Sequence, residues 1–219
     1  MLKLENVISG YNNFKIHIEN LEIYEGKKVA ILGPNGSGKS TLIKTLLKIL
    51  NYQGSIKLFS KELKEISQKE LIKFCSFLLQ VEYYPNMKVK TYLNLANVEL
   101  KFDIFEISNL LNKKLDELSS GEIQRVRLSR VINSNSKILI LDEPLSHLDP
   151  YFQIKLLNYL NQINKTIILT IHDINLAVKY FKDFIIMKNG KIYSTLLNEK
   201  IFKEIFGVSI NDFLLPYPD

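Results

Sequence analysis

A glycine-rich segment in the first quarter of the chain has the residue types and spacing of a phosphate-binding loop. It consists of Gly33, Pro34, Asn35, Gly36, Ser37, Gly38, Lys39, Ser40 and Thr41. Glycines let backbone N–H groups surround phosphate oxygens, and the helix that follows directs its positive end at them. Lys39 would then reach the terminal phosphates, and the Ser40 hydroxyl would bind Mg²⁺. A glycine-rich turn that carries Lys-Ser by coincidence is the weaker interpretation, because an apolar strand precedes the loop and a helical pattern follows it.

Two neighbouring carboxylates end an apolar run in the second half of the chain. The run is Lys137 to Leu141, and Asp142 and Glu143 follow it. A buried parallel strand presents the side chains at its carboxyl end to the same edge of the sheet as the phosphate loop. Asp142 is therefore predicted to hold Mg²⁺, and Glu143 to polarise an attacking water as a general base. Taken alone, such a pair is more often a solvated strand end, but the phosphate loop favours the functional interpretation.

A third motif, Leu118-Ser119-Ser120-Gly121-Glu122, precedes the two carboxylates. With the first two motifs it resembles the ATP-binding subunits of ABC transporters, whose usual signature is Leu-Ser-Gly-Gly-Gln. The resemblance covers nearly the whole chain. Glu122 is a familiar variant, whereas Ser120 replaces a glycine and would crowd the backbone if that position required a positive φ.

The resemblance implies roles for residues that carry little information singly. Gln80 looks like the glutamine that contacts magnesium and water, and His172 like the histidine that senses the γ-phosphate. The segment from Ser146 to Asp149 resembles the loop that crosses a dimer interface. Tyr11, one of 11 tyrosines, would stack on adenine. The predicted catalytic residues are thus Glu143, His172, Gln80 and Lys39, and the predicted metal ligands are Ser40, Gln80 and Asp142.

The same resemblance implies cofactors, partners and a mechanism. ATP and Mg²⁺ would bind between two copies of this chain, following the family's pattern. The two copies would close head to tail and hydrolyse ATP by in-line attack of water. Each chain would offer its signature to the ATP held by the other, through Ser119, Ser120, Gly121 and Glu122, together with Asp149. Further expected partners are transmembrane permease subunits and an extracytoplasmic substrate-binding protein, with no nucleic acid. The chain would lie on the cytoplasmic face of the cell membrane.

Cargo and coupling are predicted from weaker resemblances. Residues 121–128, 146–149 and 200–210 look like those of importers of ferric siderophores, haem and vitamin B12. Residues 81–87 resemble the groove that receives a short helix of a membrane subunit, although a surface loop is equally compatible with them. Importers of zinc or manganese and exporters of peptides or lipids remain alternatives. So do a soluble ABC-type ATPase and a module that binds ATP without hydrolysing it, whereas a small P-loop kinase would have no use for the signature.

Arginine usage singles out the segment that follows the signature. The chain has 26 lysines and three arginines, and the arginines are Arg125, Arg127 and Arg130. An arginine offers a planar fork of donors that lysine lacks. We expect Arg125 and Arg130 to anchor the signature helix to carboxylates or carbonyls, with Arg127 the most solvent-facing. The alternative is that all three are ordinary charges on a helix surface.

The elements that must position these residues follow from the hydrophobic patterns. The first 28 residues read as antiparallel strands, and residues 137 onward alternate between strand and helix, which predicts a parallel sheet. Residues 88–133 look wholly helical, Asn189-Gly190 predicts a hairpin turn, and residues 199–206 predict a closing helix. The predicted fold class is α/β, namely a P-loop NTPase core of the ABC ATPase type with a mostly parallel sheet, an antiparallel β subdomain and a small inserted helical subdomain.

The predicted domain organisation is one ABC ATPase domain over residues 1–219. The nucleotide-binding core comprises residues 1–80 and 134–197, the helical signature subdomain 81–133, and the C-terminal helix and tail 198–219. The apolar content of 46% suits a globular core. One cysteine excludes an internal disulfide, and the apolar runs are far shorter than the roughly 20 residues of a spanning helix. The lysines behind the net charge of +6 are spread along the chain, which favours a solvated surface over a nucleic-acid site.

Overall fold

The computed structural model of the protein describes residues 1–79, 85–96 and 98–207. The strands are Leu2–Tyr11 (β1), Phe14–Ile23 (β2), Lys28–Leu32 (β3), Tyr52–Leu58 (β4), Lys61–Glu62 (β5), Cys75–Leu78 (β6), Ile138–Leu141 (β7), Thr166–Thr170 (β8), Asp183–Lys188 (β9) and Lys191–Ser194 (β10). The α-helices are Lys39–Leu46 (α1), Gln68–Phe74 (α2), Val89–Asn94 (α3), Ser120–Ile132 (α4), Pro150–Gln162 (α5), Ile174–Tyr180 (α6) and Glu199–Phe206 (α7). Within these described ranges, the strands form one sheet in the order β5-β4-β1-β2-β10-β9-β3-β8-β7-β6.

The antiparallel half of the sheet confirms the prediction for the N-terminal segment. β1 pairs with β2 from Leu2↔Ile23 to Tyr11↔Phe14, and β4 pairs with the other edge of β1. Alternate residues of β1 and β2, such as Leu4, Ile16 and Ile18, are fully buried. One face of this half therefore packs on a core, as alternation predicts.

The parallel half brings the predicted chemistry to one edge. β9, β3, β8, β7 and β6 are neighbours and run parallel. Parallel strands end at the same edge, so the segments that follow β3, β7 and β8 meet there. The β9–β10 hairpin turns at Asn189 and Gly190, with φ of 48° and 76°, which agrees with the predicted primed turn.

The central strand β3 is buried on both faces. Ala30 and Leu32 belong to the core under α4, α5 and α6, whereas Val29 and Ile31 belong to the core under α1 and the antiparallel strands. A strand packed on both sides has little freedom to move. The phosphate loop thus starts from a rigid base. Among the described residues, no helix is both long and apolar enough to span a bilayer.

The prediction of continuous helix over residues 88–133 is wrong. α3 covers six residues, two short 3₁₀ turns follow at Ser108–Leu110 and Leu115–Glu117, and α4 begins at Ser120. Side chains replace helical hydrogen bonds between these elements. The Asp103 carboxylate accepts from the backbone N–H groups of Ile107 and Ser108 at 2.8 and 3.0 Å. Asn133 bonds to both the N–H and the carbonyl of Phe102.

Candidate nucleotide site

The phosphate loop is shaped by close backbone contacts that require glycine. A Cβ at Gly33 would lie 2.2 Å from the Met187 carbonyl oxygen, and one at Gly38 would lie 2.7 Å from the Ile16 side chain. Both residues have positive φ, 147° and 106°. Gly38 is also the N-cap residue of α1. Because glycine offers no capping side chain, the first N–H groups of α1 are left for a ligand.

Lys39 lies within this loop and is held by its carbonyl groups. Its side chain is 6% exposed, and Nζ donates to the carbonyl oxygens of Gly33 at 2.8 Å and Pro34 at 3.1 Å. Burial lowers the pKa of Lys39, and the charges of Glu143 and Asp142 oppose that shift. The ammonium group is therefore held in the loop by the protein's own backbone carbonyls.

Asp142 and Ser40 lie together at the end of β7, as the sequence predicts. Asp142 is 3% exposed. Its Oδ1 accepts hydrogen bonds from the Ser40 hydroxyl at 3.1 Å and from the Thr170 hydroxyl at 2.8 Å. A carboxylate beside a hydroxyl is an all-oxygen donor set of the kind that Mg²⁺ prefers. These residues therefore fit the metal that the sequence implies.

Glu143 and His172 form a pair at the edge of the same cleft. Glu143 Oε1 lies 2.6 Å from His172 Nε2, and Ser146 Oγ donates to Glu143 Oε2 at 3.3 Å. The backbone of Glu143 has φ of 50°, and its N–H donates to the Thr170 hydroxyl at 2.7 Å. The carboxylate is thus aimed by a fixed backbone and by a side-chain partner. Such a group is suited to orient a water molecule.

The cleft has a volume of about 620 Å³ and combines these groups with two aromatic rings. Tyr11 and Phe14 line it, together with residues 35–41, Glu143 and His172. Tyr11 is 48% exposed, and Lys44 Nζ lies 3.3 Å from its hydroxyl. Sequence reasoning missed Phe14. The signal was available, because a two-residue Asn12-Asn13 turn places Phe14 directly opposite Tyr11 across the β1–β2 hairpin. The adenine contact of Tyr11 stays a prediction.

The signature motif forms the N-terminus of α4. The Ser119 hydroxyl accepts from the Glu122 N–H at 3.2 Å, and the Glu122 carboxylate accepts from the Ser119 N–H at 2.9 Å, which is a capping box. Ser120 is the first residue of the helix and is not among the residues with positive φ. A serine side chain therefore does not crowd the backbone at this position. The hydrogen bond from the Ser119 N–H lowers the pKa of Glu122, against a smaller effect of burial. Ser119 to Glu122 lie outside the described lining of the cleft.

The segment from Ser146 to Asp149 is held against α4 and α5. Asp149 caps α5 by accepting from the Phe152 N–H at 3.1 Å. Gln153 Nε2 donates to the carbonyls of Leu145 and Leu148 at 3.2 and 3.1 Å. A Cβ at Gly121 would lie 3.0 Å from the carbonyl oxygen of His147, so the signature and this loop are in close contact. The nucleotide contact predicted for Asp149 stays a prediction.

The prediction for the arginines is confirmed for Arg125 and wrong for Arg127. Arg127 is not the most solvent-facing but is only 9% exposed. Helix α4 is buried around most of its circumference, and Arg127 points at the end of β6, where it donates to the Leu79 carbonyl. Arg125 does anchor the helix, by donating to the Phe105 carbonyl at 2.8 Å. Arg130 contacts an aromatic face, with its guanidinium 4.7 Å from the centre of the Tyr92 ring.

Three predicted features lie wholly or partly outside the described residues. Gln80, the predicted metal and water ligand, is the first. Residues 81–84, which make up most of the predicted groove for a membrane subunit, are the second. Residues 208–219, which contain the end of the importer-like segment and the predicted tail, are the third. All three stay predictions.

Comparisons with known proteins agree with this geometry. A family model described as ABC transporter matches residues 16–146. An uncharacterised ABC transporter ATP-binding protein of Methanocaldococcus jannaschii is 33% identical, over 93% of this chain and 78% of the relative. A phosphonates import ATP-binding protein of Lactococcus lactis is also 33% identical, over 94% of this chain and 96% of the relative. The petrobactin import ATP-binding protein FatE of Bacillus anthracis is 28% identical, over 99% of this chain and 98% of the relative.

Solved structures show the same fold. An ATP-binding subunit of an ABC transporter superposes with a TM-score of 0.82 over 97% of both chains, at 22% identity. A dimeric ATP-binding cassette bound to ADP and phosphate in a post-hydrolysis state superposes with a TM-score of 0.73, at 24% identity over 89% of this chain and 97% of that one.

Proposed function

Because this chain belongs to the ABC transporter family as an ATP-binding subunit with ATPase activity, we propose that two copies close head to tail around ATP to drive import across a membrane. The observation that carries the hydrolytic part is the Glu143–His172 pair at 2.6 Å, beside the Asp142–Ser40 pair on the edge of one phosphate cleft. These are the groups that in-line attack of water on a γ-phosphate requires.

The proposed mechanism assigns one task to each group. Glu143 accepts a hydrogen bond from the attacking water and draws off its proton, while His172 keeps that carboxylate in place and faces the γ-phosphate. Lys39 and the first N–H groups of α1 bind the phosphates. Ser40 and Asp142, with Gln80, would hold Mg²⁺, which neutralises charge that develops on the phosphate oxygens. Tyr11 and Phe14 would border the adenine.

The head-to-tail dimer is supported by where the signature lies. The signature residues lie outside the described lining of the cleft that holds Lys39 and Glu143, although they begin a helix whose positive end suits a phosphate. In the proposed dimer, the ATP bound by the second chain supplies this phosphate. The dimeric cassette with ADP and phosphate is a relative in fold that assembles as two chains.

Import is proposed from the relatives together with the sequence. The most specific proposal is an iron chelate or cobalamin-like cargo, supported by petrobactin import proteins at 27–28% identity and by the residues at 121–128 and 146–149. Phosphonate import is the second candidate, since a phosphonates import protein is 33% identical over 94% of this chain. The partners would be permease subunits, met through residues 81–87, and a substrate-binding protein outside the membrane. The chain would then lie on the cytoplasmic side.

The hydrolytic part is tested by turnover and oligomeric state in wild type and Glu143→Gln. Phosphate release should fall at least about 100-fold in the variant, because the water loses its base, and size-exclusion with ATP and Mg²⁺ should show a dimer that wild type forms only transiently. A variant that hydrolyses ATP at the wild-type rate would contradict the role of Glu143. Glu117→Gln, which changes a carboxylate outside the cleft, is the matched control.

The transport part needs the membrane partner. The permease that copurifies with the tagged chain is reconstituted in proteoliposomes, and ATP-dependent uptake of ferric petrobactin, cobalamin and a phosphonate is compared. Uptake of either of the first two compounds supports the first cargo class, and uptake of the phosphonate alone supports the second. Vesicles that hydrolyse ATP but accumulate none of the three would contradict import of these cargoes.

A further inference from the structure

Gln124 is a buried amide that connects α4 to the segment after the catalytic glutamate. Its side chain is 4% exposed, and Nε2 donates to the Pro144 carbonyl at 3.0 Å. Pro144 directly follows Glu143. An exposed helix residue would lose this bond to water, but a buried one keeps it, because an unpaired carbonyl is costly there.

Arg127, one turn further along α4, extends the connection in the opposite direction. One guanidinium nitrogen donates to Gln124 Oε1 at 3.2 Å, and the other terminal nitrogen donates to the Leu79 carbonyl. Leu79 lies immediately before Gln80. A guanidinium can serve two acceptors in one plane, whereas a lysine ammonium acts as a single point charge. This geometry explains why a lysine-rich chain uses arginine at this position.

The two carbonyls belong to neighbouring strand ends. β6 and β7 pair from Cys75↔Ile138 to Leu78↔Leu141, so the residues that leave them lie side by side. Residue by residue, the connection runs from Leu79 through Arg127 and Gln124 to Pro144. It joins the exit of β6, the signature helix and the turn that carries Glu143.

We propose that Gln124 and Arg127 are positioning residues that fix the signature helix and both strand exits as one unit. Neither side chain is among the described lining of the nucleotide cleft, so we assign them no contact with the chain's own nucleotide. Their effect passes through the backbone at Leu79 and Pro144, and Pro144 directly follows Glu143. The placement of α4 against ATP of a partner chain and the placement of Glu143 against its own ATP are then set together. The part that concerns the partner chain rests on the proposed head-to-tail dimer.

The test compares three arginine and glutamine variants with a matched control. Arg127→Lys keeps the charge but replaces the two terminal nitrogens, which donate to different acceptors, with a single nitrogen on a shorter side chain. Gln124→Glu keeps an acceptor for Arg127 but loses the donor to Pro144. Arg130→Lys is the control, since Arg130 lies on the same helix but contacts the Tyr92 ring. Steady-state ATP hydrolysis, binding of a fluorescent ATP analogue and thermal midpoints are measured for each, as well as for the double variant.

The proposal predicts a split between turnover and binding. In Arg127→Lys and Gln124→Glu, kcat should fall between about 10-fold and about 100-fold, because small displacements of catalytic groups have effects of that size. KM and analogue binding should stay within about twofold, since the phosphate loop is untouched. The kcat of the double variant should be no lower than that of the more impaired single variant, because both changes break one connection. Arg130→Lys should match wild type.

Other outcomes overturn the proposal. Wild-type kcat in Arg127→Lys would show that the connection has no role, and losses that multiply in the double variant would show two independent effects. A fall in kcat matched by an equal rise in KM would indicate general damage to the fold. None of these measurements depends on transport, which the proteoliposome experiment tests separately. Failure of this proposal can therefore be distinguished from failure of the proposed function.

Discussion

The two helix N-termini that carry the phosphate loop and the signature are built in opposite ways. α1 is capped by Gly38, and its first turn carries Lys39 and no acidic residue. α4 is capped by Ser119, and Glu122 in its first turn closes a capping box. Both N-termini carry the partial positive charge of a helix dipole. Only α4 satisfies part of that charge with its own side chains.

The difference shows which end is a complete anion site in a single chain. At α1 the first N–H groups and Lys39 can bind a phosphate, and close contacts at Gly33 and Gly38 fix the shape of the loop. At α4 the carboxylate of Glu122 already accepts from the Ser119 N–H at 2.9 Å and opposes a second anion. The N-terminus of α4 is therefore stabilised by its own side chains and should bind an anion less strongly than that of α1. In the proposed head-to-tail dimer, this helix end would contact nucleotide only when a second chain presents a phosphate.

The largest effect is expected from a substitution in the phosphate loop at α1. Lys39→Ala removes a charge that is 6% exposed together with its phosphate contacts, so ATP affinity should fall by about 100-fold, as expected for loss of charged hydrogen bonds worth about 1.5–3 kcal/mol each. Fluorescence titration with an ATP analogue measures this. Lys203→Ala, at the surface of α7, should bind normally. Unchanged ATP affinity in Lys39→Ala would contradict the assignment of the loop.

A change on the α4 side should leave ATP binding intact and still stop turnover. Gly121→Asp adds a side chain whose Cβ would lie 3.0 Å from the His147 carbonyl and a carboxylate that repels the partner's phosphate. Turnover and ATP-dependent dimerisation should fall at least about tenfold, because like charges at close range are strongly unfavourable. Phosphate release and size-exclusion measure these effects. A loss of ATP binding by the monomer would instead place the signature in its own chain's site.

Removing the cap of α4 should mainly affect stability. Ser119→Ala deletes the hydroxyl that accepts from the Glu122 N–H, which should lower the free energy of unfolding by about 1 kcal/mol. Urea denaturation followed by circular dichroism measures it. The matched variant Ser76→Ala removes a serine hydroxyl in β6 that caps no helix, and it should change the free energy of unfolding less. An equal effect of the two variants would contradict the importance of the capping box.

The smallest effect should come from the charge of Glu122. In Glu122→Gln the side-chain oxygen can still accept from the Ser119 N–H, but the variant lacks the negative charge that would face the partner's phosphate in the proposed dimer. The ATP-dependent dimer should be tighter by about two- to fivefold, in line with the worth of a charge at a helix end. Analytical ultracentrifugation in the Glu143→Gln background measures it. Weaker dimerisation would show that the carboxylate assists the contact.

Local motifs predicted most of the site, since its main residues lie at strand ends. Asp142 follows an apolar strand and Lys39 opens a helix, so alternation and spacing place both. His172 needed the family resemblance. The environment of Arg127 could not be predicted, because it depends on how α4 packs against the exit of β6, a contact between residues 48 positions apart.

The prediction of continuous helix over residues 88–133 was wrong for a related reason. Its apolar residues, such as Phe105 and Leu115, are fully buried, so hydrophobicity predicted burial correctly. The backbone between α3 and α4 is nevertheless irregular, because Asp103 and Asn133 supply hydrogen bonds that a helix would otherwise make. Periodicity alone does not reveal such side-chain bonds.

If each chain supplies half of each site, two variants that are inactive alone should complement each other when they are mixed. Lys39→Ala keeps the signature but loses the phosphate loop, whereas Gly121→Asp keeps the phosphate loop but loses the signature. In a mixed dimer, one site combines the two intact halves. Mixing should restore phosphate release to a measurable fraction of the wild-type rate, up to about one quarter, because half of the random dimers are mixed and each has one working site. A mixture as inactive as its components, in dimers shown to contain both chains, would contradict the proposal that the two chains share each site.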